Sequence, residues 1–292
     1  MYTERTMLLK TFGSLFLILL IGTAPVFAQS TPSTIEQPSM PVEEIIRKFA
    51  EREREFRKAR ANYVYRQDVR VQELNANDKV LGEYHVVSDI TFDASGKRAE
   101  RIVQAPPSTL KGIQMTAQDL NDIREIQPFV LTADDIGKYK LTYAGKETID
   151  EIDCYLFDVE PKTLVKGERY FQGRIWVDDK DLQIVKTYGK AVPDIRGKDG
   201  ENLFPKFETY REQIDEYWFP TYTRAVDTLQ FSSGPVRMRQ VIKYENYKKF
   251  QTDIKLTFGD EVEGANGTTA PSVSRKAPAL DPKIKESTTK KK

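Results

Sequence analysis

Hydrophobic and polar residues keep two different rhythms along this chain, and the switch between them sets the order of its elements. From Val42 to Ala61, Ile45, Ile46, Phe49, Phe56 and Ala59 recur at helical spacing among Glu, Arg and Lys. That spacing predicts a charged amphipathic helix with one narrow apolar stripe. From Asn62 the period falls to two. Tyr63, Tyr65, Val69 and Val71 alternate with Arg66, Asp68, Arg70 and Gln72. After an Asn-Ala-Asn-Asp turn, Tyr84, Val86, Ile90 and Phe92 alternate with His85, Asp89 and Asp93. Ala94-Ser95-Gly96-Lys97 turns into a third strand from Arg98 to Gln104, which Pro106-Pro107 stops. Antiparallel strands with one apolar and one polar face have this signature.

The stretch from Thr116 to Gln127 interrupts the strands. Thr116 with Asp119 forms a variant of the capping box, and Leu120, Ile123 and Ile126 make the apolar side of a short helix. Strands resume at about 139–149, 153–161, 167–177, 182–192, 206–214, 218–231 and 236–250. Asp178-Asp179-Lys180-Asp181 and Ser232-Ser233-Gly234-Pro235 are the clearest hairpin turns. The polar run 194–202 reads as a long connection. Helices do not alternate with strands, which excludes βαβ units. The expected fold is mainly β (α+β): an open antiparallel half-barrel of about ten to eleven strands, with helices covering the concave face, in one domain over residues 42–262.

The ends of the chain follow other rules. Arg5 and Lys10 precede the apolar run Leu15 to Ile21, and Gly22 to Pro25 and then Val26-Phe27-Ala28 follow it. This is the layout of a secretory signal over residues 1–28, cleaved to leave Gln29 first. The apolar run is far shorter than the ~20 residues that span a bilayer. No cysteine follows the cut, so bacterial lipidation is not expected there. The expected place of work is the periplasm, as an exported protein without a membrane anchor. Residues 29–41 read as a flexible lead-in rich in Ser, Thr and Pro, and 263–292 as a disordered basic tail ending in three lysines.

Charge and chemistry narrow the function further. Without the signal, 43 of the 45 basic and 43 of the 44 acidic residues remain, so there is no net charge. A general nucleic-acid binder would concentrate excess positive charge, so no nucleic-acid partner is expected. The single cysteine, Cys154, lies in an apolar strand-like run and reads as an inert buried thiol. The single histidine, His85, falls on the polar phase of its strand, where solvent rather than catalysis is expected. Asp178 to Asp181 lacks the glycine and distant glutamate of a calcium loop. No phosphate loop, nucleophile elbow or metal-ligand spacing occurs, so neither an enzyme nor a cofactor is expected. A hydrolase built on carboxylates such as Glu160, Glu168 and Asp178 stays open as an alternative.

Aromatic residues are in surplus, with 15 Phe, 14 Tyr and 2 Trp. Tyr63, Tyr65, Tyr84, Phe92, Tyr155, Phe157, Phe171, Ile175, Met238 and Ile242 lie on apolar phases of the strands. Two readings of them stand side by side: a plain core, or the lining of an apolar hollow able to take an acyl chain. In the second reading the first helix is a lid, docked through Ile45, Ile46 and Phe49.

The layout resembles a known family. Export signal, amphipathic helix, a strand meander broken by a short helix, and then the hairpin from Tyr170-Phe171-Gln172-Gly173-Arg174-Ile175-Trp176-Val177-Asp178 to Leu182-Gln183-Ile184-Val185 resemble the outer-membrane lipoprotein-sorting proteins of the LolA-like superfamily. The strand Tyr155-Phe157-Val159 with the Pro161-Lys162 turn resembles the strand preceding that hairpin. The resemblance implies a half-barrel lidded by helices that carries or senses lipoprotein acyl chains or free lipid. In the sensing case the partner would include a membrane-anchored envelope protein. The polar stretch around 194–202, Phe204 to Tyr210 and the basic tail depart from the family pattern.

Overall fold

The structure, a computed structural model, describes residues 37–249 other than 94, 95, 198 and 199. The signal-like segment and the basic tail lie outside the described residues, as does the end of the proposed domain past 249.

Ten strands form one antiparallel sheet. In chain order they are β1 (Tyr63–Leu74), β2 (Val80–Phe92), β3 (Arg98–Gln104), β4 (Tyr139–Ile149), β5 (Ile152–Pro161), β6 (Tyr170–Asp178) and β7 (Ile184–Val192), then, after a small separate hairpin β8 (Ile195–Gly197) and β9 (Gly200–Asn202), β10 (Phe207–Ile214), β11 (Tyr217–Phe231) and β12 (Gly234–Lys249). The spatial order β3-β2-β1-β12-β11-β10-β7-β6-β5-β4 leaves β3 and β4 as two free edges. The sheet is therefore open, and the expected half-barrel is the fold observed. The polar run 194–202, expected to be a plain connection, pairs with itself as β8 and β9.

Between β6 and β7 the register brings two glycines, Gly173 and Gly189, together. A side chain on Gly173 would run into the Tyr188 carbonyl, and a Cβ on Gly189 would sit 2.7 Å from the Phe171 ring. Only glycine lets the strands approach this closely and lets Phe171 fold over them.

Two helices lie on the concave side. The first, α1 (Val42–Arg60), carries Glu43 and Glu44 in its first turn and Arg57, Lys58 and Arg60 in its last, each sign facing the helix end it favours. The second, α2 (Ala117–Glu125), begins at the anticipated capping box: Thr116 accepts from the Asp119 amide, and Asp119 accepts from the Thr116 amide. The connection that contains α2, residues 105–138, joins one free edge to the other. It crosses the concave face, and a single 3-10 turn at Ile136–Lys138 ends it.

The concave face holds the main core, in which α1, α2 and the strands share one apolar cluster. The convex face is not uniformly polar: Cys154, Leu156, Trp176 and Val185 form a smaller core of their own there. Among the described residues no helix is long and apolar enough to cross a membrane.

Candidate functional site

Strand alternation places most of the sequence-derived candidates on the concave face. Tyr65, Tyr155, Phe157, Phe171, Ile175, Met238 and Ile242 are buried in one cluster, and Tyr84 and Phe92 pack against it half-buried. Tyr63 stands apart, in a separate group with Phe56 and Phe219 at the end of α1. The lid residues divide as the helical stripe requires. Ile45 and Phe49 are fully buried, Phe49 lies 5.7 Å from the Phe157 ring, and Ile46 is half-buried at the margin.

The face is covered in this structure. Phe129 stacks on Phe171 at 4.3 Å, and the crossover brings Leu110, Ile113, Met115, Ile123 and Leu131 down onto the sheet. What stays open above the apolar face is a crevice of about 30 Å³ between Val71, Ile113, Met115, Phe204, Leu229 and Met238. That is room for about one water, not for a chain of methylenes. An occupant of the concave face has to displace part of the cover.

Polar groups pin that cover to the sheet, and sequence reading missed them. Glu53, on the apolar stripe of α1, forms a fully buried ion pair with Arg211 of β10 at 3.0 Å and also accepts from the Ile184 amide. Arg211 donates onward to the Phe129 carbonyl. Gln127 donates to Gln240 at 2.6 Å, and Thr209 donates to the Gln127 carbonyl. Asp122 of α2 takes a two-nitrogen grip from Arg169. Burial pushes the Asp122 carboxyl up, although Arg169 pulls the other way. At the crevice a single buried carboxylate, Glu73, accepts the amides of Lys111, Gly112 and Ile113. It thereby holds the loop that forms the crevice wall.

These pins had a signal in the sequence. Glu53 falls between Phe49 and Phe56 on the helical stripe, Glu73 follows Val69 and Val71 in the inward phase of β1, and Arg211 follows Phe207 and Thr209 in that of β10. A charge on an inward phase must find a partner, but which partner is a long-range fact.

The remaining candidates stand outside this face. His85, expected to be solvated, has a side chain only 11% exposed and bonds Asp68 across β1 and β2 at 3.0 Å. Its convex-face row is crowded with long side chains, which shut water out. Cys154 is fully buried, as expected, and burial together with Asp178, Asp179, Asp153 and Glu147 pushes its thiol up to about 12. The three carboxylates of the hydrolase alternative do not converge. Glu160 pairs with Lys140 on the outer face, Glu168 accepts from the Tyr170 hydroxyl, and Asp178 closes the β6–β7 turn by accepting from the Lys180 amide. No cluster among the described residues could hold a metal ion.

A larger open groove, about 680 Å³, lies on the convex side over β4 to β7. Most of its charges are paired, Arg174 with Asp158, Glu160 with Lys140 and Lys190 with Asp194, while Lys206 forms no ion pair with a described residue.

No protein-family model matches this chain, and no curated protein matches it either. Solved structures similar to it include a DUF1329 family protein from Desulfovibrio piger, at 18% identity and a TM-score of 0.40, covering 74% of this chain and 95% of that one. A LolA superfamily protein from Nitrosomonas europaea is 14% identical, with a TM-score of 0.33 over 73% of this chain and 95% of that one. An outer membrane lipoprotein-sorting protein domain, described as putative, from Vibrio parahaemolyticus is 12% identical, with a TM-score of 0.32 over 70% and 93%.

Proposed function

We propose that this is an exported, non-catalytic binding protein of the cell envelope that shelters the acyl chains of a lipid or lipoprotein on its concave face. The observation that carries the reading is the nature of the cover. At the crevice by Met238 the apolar face is closed by Asp119 and Ile123 of α2 together with two loop segments, one around 113–115, whose neighbouring 111–113 amides rest on the Glu73 carboxylate, and one at 203–205. Beneath them Val71, Leu229 and Met238 lead into the aromatic row of Phe157 and Phe171. An occupant that lifts the loop segments would exchange solvent for this surface. The signal-like N-terminus and the polar, charge-neutral exterior fit a protein that carries such cargo through an aqueous compartment.

Affinity in such a site comes from burying methylenes, at ~0.8 kcal/mol each. Displacement of an environment-sensitive fatty probe by saturated fatty acids of increasing length should therefore show about a fourfold gain per added methylene until the face is full. A flat response, or no displacement at any length, rejects the reading.

A further inference from the structure

We propose that a second hollow, between the last turn of α1, the end of α2 and the segments 126–139 and 168–170, binds a phosphate group. It encloses about 320 Å³ and is lined by Arg57, Arg60, Arg124, Lys138 and Arg169. Ile126, Phe129 and Val130 are also among its lining residues. This site needs no acyl chain, so it stands or falls independently of the reading above.

Charge alone does not make the case. Glu125, Asp135 and Glu168 also line the hollow, and the bases hold further acids: Arg57 pairs with Asp134 and Asp135, Lys138 with Asp135, Arg124 with Glu100, and Arg169 with Asp122. What distinguishes the hollow is unused donors. Arg169 is held at 5% side-chain exposure by Asp122, yet its Nη1 is buried without a hydrogen-bond partner. Arg60 forms no ion pair with a described residue, its buried Nε also lacks a partner, and its guanidinium rests over the Phe92 ring at 5.4 Å. Two guanidinium groups with unspent N–H donors in one partly enclosed hollow are a costly arrangement unless an acceptor completes it. Planar N–H forks suit tetrahedral oxyanions, and a phosphate monoester supplies enough acceptor oxygens for both. Asp135 already accepts from Arg57, Thr132 and Lys138, and Glu168 from Tyr170, so an incoming anion need not break those bonds, while Glu125 is exposed to solvent.

The test is a calorimetric titration of the protein with inorganic phosphate at low ionic strength. Saturable binding is expected, weakened about tenfold or more in Arg60→Gln and lost in Arg60→Gln/Lys138→Gln. Lys138 is exposed and Arg60 half-buried, and an unchanged thermal melt would show that the variants fold. Vesicles of phosphatidylcholine containing phosphatidic acid give the source: if they displace phosphate while phosphatidylcholine alone does not, the site takes a lipid headgroup. If neither displaces it, the site takes free phosphate; either result supports the site. Absence of saturable phosphate binding, or binding that both variants leave unchanged, overturns it.

Discussion

Glu53 and Arg211 put the largest single electrostatic commitment in the least forgiving place. Both side chains are essentially excluded from solvent, and between them they hold α1, β10, the start of β7 and the Phe129 carbonyl. A buried pair of this kind adds little net stability relative to an apolar pair of the same shape, but breaking it leaves one charge stranded. Glu53→Ala should therefore lower the unfolding free energy by about 3–5 kcal/mol, read from urea titration, and Glu53→Met/Arg211→Met should recover most of that loss. If Glu53→Ala moves the midpoint by less than an equivalent of ~1 kcal/mol, the pair is not the anchor of α1. Cys154 illustrates the opposite case. Its thiol is surrounded by carboxylates, and nothing in its small convex-face core asks it to ionise.

At the scale of elements the key contrast is between a helix that is anchored and a loop that is latched. The segment Lys111 to Ile113 is held largely by its three amides on Glu73, with Thr109 bonded to Glu83 next to it. Glu73→Ala removes the carboxylate that accepts from all three amides through charge-assisted bonds. Hydrogen exchange of the 111–113 amides should rise sharply while the β1 and β12 amides keep their protection, and the fatty probe should bind faster. Faster exchange throughout the sheet would mean instead that the loop belongs to the cooperative core.

The elements themselves were legible from local rhythm. Most strands of the large sheet show as a period of two, β5 shows as a continuous apolar run because both of its faces are buried, and both helices show as an apolar stripe with its terminal residues. The β8–β9 hairpin was not legible, since no alternation of apolar and polar residues marks its two three-residue strands, and the Arg196–Glu201 pair across it appears only once they are paired. The concave lining was legible as inward phases. That the lining is covered was not, because the cover is the 105–138 crossover, and where a crossover runs depends on which strands end up at the edges.

The topology of the whole sheet explains why the cover can yield while the sheet persists. The chain lays down β1, β2 and β3 toward one edge, crosses the concave face, and returns from β4 at the other edge until β12 pairs with β1. The seam between β1 and β12 runs from Tyr63 opposite Lys249 to Leu74 opposite Arg237, so the first and last strands meet in the middle of the sheet. Each edge strand anchors one end of the crossover, and the span between is held by side-chain pins and apolar contacts rather than by strand pairing. Local opening should then follow a hierarchy. In native-state hydrogen exchange, residues 105–115 should open first and the N-terminal half of α1, docked through Ile45, Ile46 and Phe49, should follow. The central strands β1, β11 and β12 should exchange only with global unfolding. A bound acyl chain should slow exchange in the aromatic lining of β5 and β6 and leave the seam unchanged. If α1 exchanges together with the seam, the helix is ordinary core and the loops alone form the lid. If 105–115 does so too, no part of the cover opens independently, and the concave face is a closed core that takes no cargo.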